Sequence, residues 1–198
     1  MAARKETVSP RRLDAAVDPM FPDRWSPRSF LPDPVKPADL QSLFEAARWA
    51  PSCFNEQPWL FLYAVSPGDR DRFASALAEK NRLWASRAPV LMYLAVRTGF
   101  RLNGKPNRHA AFDGGAAWMS LALQARRLGL YAHAMAGFDA EKAREILGLP
   151  REGWDVMAAI AVGRRGDPSL LPDDMRAMEG PNDRKPLSEV GRAGGFGP

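Results

Sequence analysis

Three short apolar runs limit what this chain can build. Residues 59–65 (WLFLYAV), 90–96 (VLMYLAV) and 154–162 (WDVMAAIAV) have the length of strands buried on both faces, and Pro or Gly bounds most of their ends. The run at 90–96 is seven residues long, far short of the ~20 needed to span a bilayer. Between the runs the apolar period changes to that of helices. Leu40, Leu43, Phe44, Ala47 and Ala50 line one face of a helix over 36–50, with Pro37 in its first turn and Pro51 closing it. The spacing of Phe73, Leu77 and Trp84 predicts a helix over 70–85. Trp118, Leu121, Ala122, Ala125 and Leu128 predict a long one over 110–128, with Gly129 beyond its end. Asp139 is placed to cap a helix that ends before Gly148. Residues 131–138 suit either a short strand or an irregular connector. The expected fold is therefore α+β: a three-layer α/β/α sandwich around one small sheet.

Composition narrows the chemistry. The chain has 198 residues and one cysteine, Cys53, which excludes a disulfide framework and a Cys-based zinc or iron–sulfur centre within one chain. It has two histidines, so a three-His metal site is excluded as well. The 28 Lys and Arg against 23 Asp and Glu give a net charge of +5. That excess is scattered in ones and twos, which favours a small anionic ligand over nucleic acid. Residues 1–20 read as a flexible polar arm without the apolar core of a secretory signal, and a cytoplasmic location is expected. Residues 21–163 read as the folded domain. Residues 164–198 form a polar, Pro- and Gly-rich tail, long for a loop and therefore either disordered or wrapped on another surface.

Two segments carry chemistry. Arg24-Trp25-Ser26-Pro27-Arg28 sets two guanidinium groups and a hydroxyl close together, a donor set suited to a phosphate or polyol. In Ala50-Pro51-Ser52-Cys53-Phe54-Asn55-Glu56-Gln57-Pro58-Trp59 the carboxamides of Asn55 and Gln57 each present donors and an acceptor, which suits a heterocyclic edge. Taken alone, each is also what a solvated surface or a polar turn contains.

In order along the chain, these segments resemble the nitroreductase family of FMN-dependent oxidoreductases. The likeness continues through Phe112-Asp113-Gly114-Gly115-Ala116, Arg127-Leu128-Gly129-Leu130, Met135-Ala136-Gly137-Phe138-Asp139, Ala159-Ile160-Ala161-Val162-Gly163 and Arg184-Lys185-Pro186-Leu187-Ser188-Glu189-Val190, covering about 22–191. The resemblance implies the nitroreductase-like fold with a mainly antiparallel sheet. It also implies a homodimer with FMN at the subunit interface, and NADH or NADPH as co-substrate. Arg24, Ser26 and Arg28 would hold the phosphate, the ribityl chain and the pyrimidine edge. Pro51, Ser52, Asn55 and Gln57 would contact the ring or ribityl chain from the opposite subunit. Ala136 and Gly137 would run beside the ring, with Gly137 permitting close approach. Arg184, returning from the tail, would reach the phosphate, so that the tail completes the cofactor site and the dimer.

Departures from the family pattern are Ala136 where many members carry Glu, Asn182 where some carry Lys, and Cys53 where Ser is common. Asp113 reads as a helix N-cap, Cys53 as a packed turn residue, His133 as a satisfied partly buried side chain, and Trp49, Trp84 and Trp118 as core or subunit packing. No metal and no dedicated catalytic side chain is expected, because a flavin carries the electrons. No G-x-G-x-x-G follows a strand, so the nicotinamide is expected to bind transiently. The implied reaction is hydride transfer through the flavin to a nitroaromatic or quinone in ping-pong fashion; residues 98–107 are the candidate lid solely from their position between a buried strand and the central helix. Rival readings are a same-family dehydrogenase or oxidase of a biosynthetic intermediate, an FMN-binding protein without turnover, and a basic nucleic-acid-binding protein.

Overall fold

The three apolar runs and a fourth, shorter segment pair into one antiparallel sheet. The computed structural model describes residues 11–196, so the first ten residues of the expected arm lie outside the described residues. Strands β1 (Trp59–Ala64), β2 (Val90–Arg97), β3 (Tyr131–Met135) and β4 (Trp154–Gly163) stand in the order β1-β2-β4-β3. Phe61 faces Leu94 across β1–β2, Met92 faces Ile160 across β2–β4, and Ala134 faces Ile160 across β3–β4. Residues 131–135 are thus a strand, and the connector alternative falls away.

Alternation along the two central strands separates the core into two layers, because successive side chains leave a strand on opposite faces. Val90, Met92, Leu94, Val96, Ile160 and Val162 pack with Leu40, Leu43 and Leu121, from α2 (Pro37–Arg48), which follows the one-turn helix α1 (Met20–Asp23), and from α5 (Ala110–Arg127). Leu91, Tyr93, Ala159 and Ala161 pack on the other face with Phe73, Trp84 and Ala143, from α3 (Pro67–Ala74), α4 (Glu79–Ala85) and α6 (Ala140–Leu147). Helices on both faces of an antiparallel sheet make the three-layer α+β sandwich that the sequence predicts. Helix α5 presses close to β2 because Gly114 has no Cβ: one placed there would lie 2.7 Å from Val96 Cγ1.

Four local expectations change. The helix over 70–85 is two helices, parted where the backbone bonds across to 137–139: Ala78 N–H donates to the Gly137 carbonyl and Asp139 N–H to that of Ala76. Phe73, Leu77 and Trp84 are nonetheless all buried. Asp113 is not the N-cap of α5; His109 holds that position, and Asp113 is a buried first-turn residue. Trp49 is 74% exposed, with the Arg48 guanidinium 4.8 Å from its ring centre, so of its two readings, core or subunit packing, the core one falls away. The tail beyond 163 contains two short helices, α7 (Asp173–Arg176) and α8 (Leu187–Val190), and Leu171 and Met175 enter the core layer of Trp84. Asp139 does cap α6, accepting from Lys142 N–H, and Gly148 ends that helix at φ 64. Among the described residues no helix is long and apolar enough to cross a membrane.

Candidate functional site

Residues 24–30 run beside the end of β4. Leu31 N–H donates to the Arg164 carbonyl and Gly166 N–H to that of Ser29, each at 2.9 Å. In such a segment alternate residues face opposite ways. Trp25, Pro27 and Ser29 are buried, while Arg24, Ser26 and Arg28 are half-exposed. The spacing R-x-S-x-R therefore gathers the polar groups on one side while its intervening residues anchor the segment.

The anchors are specific. Phe30 is fully buried and stacks on Trp84 at 6.2 Å between ring centres. The Arg28 and Ser29 N–H groups donate to the Glu179 carboxylate, at 2.9 and 3.0 Å to its Oε1. The His133 Nδ1 lies 2.8 Å from the Pro27 carbonyl. A carbonyl only accepts, so Nδ1 carries the proton. Burial pushes His133 down to about 4, against a partial upward pull from the Pro27 carbonyl; the charges of Arg28 and Arg24 add to the fall. The ring stays neutral at physiological pH. Arg126, at the end of α5, binds Asp23 at 2.8 Å and lies 3.9 Å from the centre of the Tyr131 ring, which fixes the residue before Arg24.

A cavity of about 1020 Å³ opens beside this segment. Arg24, Ser26 and Arg184 line it together, so the structure unites three of the expected site residues. Arg11, Arg12 and Lys185 add cationic side chains, with Asp14 and Asp183 opposing them. Trp118, Met119, Ala134, Val17 and Phe21 provide apolar surface. Arg24 is held below the usual arginine range, first by burial and then by the charges of Arg11 and Arg184. Like charges crowded in a partly desolvated cavity favour an anion between them. A phosphate at the cationic end and a flat ring against the apolar wall match this donor set, so the residues present fit FMN.

The remaining expected site residues lie elsewhere. Arg28 is on the same side of the segment but outside the cavity wall. Pro51, Ser52, Asn55 and Gln57 belong to a projecting turn around Cys53–Asn55. That turn is tied to α5 by Cys53 N–H donating to Asp113 Oδ2 at 3.1 Å, and internally by Gln57 N–H donating to Ser52 Oγ. The cavity rests on Trp118 and Met119, about 8 Å farther along the same helix at its 1.5 Å rise per residue. Ala136 is exposed just beyond β3. Gly137 is needed for a close approach, but the approaching group is protein: a Cβ there would lie 2.6 Å from Asn81 Nδ2, which donates to the Gly137 carbonyl.

The model of the nitroreductase family matches residues 22–83 and 70–164. This chain belongs to the nitroreductase family. A Streptomyces coelicolor protein, provisionally named an NADH dehydrogenase/NAD(P)H nitroreductase, is 34% identical over 149 residues, 66% of this chain and 74% of that one. A crystal structure described as an oxidoreductase containing FMN is 41% identical with a TM-score of 0.91, covering 96% of this chain and 98% of its own. A Parabacteroides distasonis protein at 22% identity and a TM-score of 0.70 shares the fold, covering 88% of this chain and 96% of its own.

The family match ends at 164 and begins at 22, so both Arg11 and Arg184 fall outside it. Arg184 was legible from the RKPLSEV motif. Arg11 and Asp14 were not: no spacing links residues from opposite ends of the chain. Trp118 was read as packing, and it does pack against the α2–α5 layer while also lining the cavity.

Proposed function

We propose that this nitroreductase-family protein is an FMN-dependent oxidoreductase that takes hydride from NADH or NADPH and delivers it to a flat, electron-poor acceptor of the nitroaromatic or quinone class. The observation that supports it is the cavity where Arg24, Arg184 and Ser26 meet Trp118, Met119 and Ala134. Guanidinium groups give a phosphate fixed, charge-assisted donors, and an apolar wall gives a flat heterocycle a place to stack.

When bound, FMN supplies a ring nitrogen, N5, that takes a hydride from reduced nicotinamide and yields it to the acceptor. Arg24 and Arg184 hold the phosphate, and Ser26 holds the ribityl chain. Arg28, on the same side of the segment, offers a permanent positive charge to the pyrimidine edge, where negative charge collects on reduction. Ala136 and Gly137 pass beside the ring with their backbone. Pro51, Ser52, Asn55 and Gln57 lie outside the wall of their own chain's cavity and serve that of a second copy, which makes the working unit a homodimer. With no dinucleotide-binding fingerprint, nicotinamide and acceptor take turns over one open face, in ping-pong order, and residues 98–107 border that face. The pool of NAD(P)H that such a reaction draws on places it in the cytoplasm.

The test is anaerobic mixing of the yellow protein with NADH or NADPH, followed by a panel of nitroaromatics and quinones. Loss of the flavin colour, and its return with acceptor, is the expected result. A protein that holds flavin but is bleached by neither nicotinamide is a binder without turnover, and a colourless protein that takes up no FMN ends the reading.

A further inference from the structure

Resting on the FMN reading, we infer that Arg11 is a third guanidinium for the cofactor phosphate, brought to the cavity by a strap, residues 11–17, that also fastens the tail. Arg11 lies eleven residues ahead of the family match, so nothing in that match assigns it a role. Its Nη1 donates to the Pro22 carbonyl at 2.9 Å and to the Arg24 carbonyl at 2.8 Å. Immobilising a long cationic side chain costs rotamer freedom. Two bonds from one nitrogen to neighbouring carbonyls offset that cost and fix the plane of the group next to Arg24.

The strap does not stop there. Three residues on, Asp14 Oδ2 accepts from the Leu187 N–H at 3.0 Å. Leu187 is on the segment that carries Arg184, so the two ends of the chain are joined directly over the cavity they both line. Arg11, Arg24 and Arg184 then converge from three separate stretches of sequence. Burial first, and then the charge of Arg184, hold Arg11 below the usual arginine range; burial and the charges of Arg11 and Arg184 do the same to Arg24. Asp183 and Asp23 offset part of the repulsion at Arg11, while Asp23 also binds Arg126 and Asp14 holds the tail. A dianion in the cavity relieves the repulsion of all three at once, whereas an uncharged ligand does not.

The decisive comparison is FMN against riboflavin, which differ in the phosphate alone. Flavin fluorescence titration of the full chain and of Arg11→Met gives both affinities. FMN binding is expected to weaken about ten- to a hundredfold, as for loss of one charge-assisted contact, with riboflavin binding unchanged. Arg11→Gln, which keeps a donor for the two carbonyls but no charge, should show the same selective loss, and Arg11→Lys should recover most of it. Equal weakening of both flavins would reduce Arg11 to a backbone brace, and unchanged FMN affinity would remove it from the site; either overturns the inference while leaving the FMN reading intact. A parent chain that binds neither flavin overturns that reading, and this one with it.

Discussion

Residues 24–30 and 51–57 contrast as two halves of one proposed site. The first is held by backbone bonds to residues 164–166, by the Glu179 carboxylate and by His133, and its anchoring residues are buried. The second keeps a shape that costs energy. Phe54, Asn55 and Gln57 sit at φ 51, 56 and 47, where a residue with a Cβ is about 1–2 kcal/mol worse off and only Asn is readily tolerated. Phe54 is 88% exposed there. Such strain persists only where surroundings over-determine it. The first half finds those surroundings in its own chain. The second is braced by Asp113 and by Glu56, which accepts from the Arg101 N–H, and it leaves Phe54 and Asn55 exposed.

Three experiments press on that contrast. The largest effect belongs to the locked half. Arg24→Ala with Arg184→Ala removes two charge-assisted phosphate contacts, each worth ~1.5–3 kcal/mol, so FMN affinity should fall by about a hundred- to ten-thousandfold. Equilibrium dialysis against FMN measures it, and a loss under tenfold would show that the phosphate lies elsewhere.

Acid should loosen the same half next. Burial lowers the His133 pKa to about 4 from 6.5. The unfolded chain therefore takes up that proton first as pH falls. The stability contributed by a neutral His133 is fully present above about pH 6.5 and is lost progressively towards about pH 4. The loss is on the order of 3 kcal/mol, read from urea midpoints across that interval, and His133→Gln should flatten the slope. A wild-type midpoint insensitive to pH there would mean the ring is solvated.

The smallest expected effect tests the projecting half. Phe54→Asp together with Phe112→Asp places charge on two rings that are 88% and 79% exposed. Sedimentation should report a shift from dimer to monomer, and FMN retention should drop about tenfold, the equivalent of one lost contact, with the arginine cavity untouched. Unaltered mass would disconnect this loop from the subunit contact.

The layers were legible because they depend on local rules. The run 90–96 is apolar throughout, which marks a strand covered on both faces, and its alternate residues do part into two cores. Leu40, Leu43 and Ala47 keep helical period and are buried on α2. The helix break at 75–78 was not legible, since Phe73, Leu77 and Trp84 have helical spacing whether or not the backbone between them bonds to residues 137–139 instead. Asp113 looked like a cap for a similar reason: its type suits an N-terminus, and only the position of the 51–57 turn gives its carboxylate a partner sixty residues away.

Of the candidate site, the sequence by itself determined which segments carry donors: R-x-S-x-R, the two carboxamides and Arg184, whose types and order mark the family. The tertiary structure decided which of them meet. It placed Arg24, Ser26 and Arg184 in one cavity, left 51–57 outside its wall, and brought Arg11 in from a stretch without any motif. The physical reason is range. Propensity and periodicity act over a few residues, whereas a guanidinium finds its neighbours through chain reversals, and those are set by the packing of the whole core.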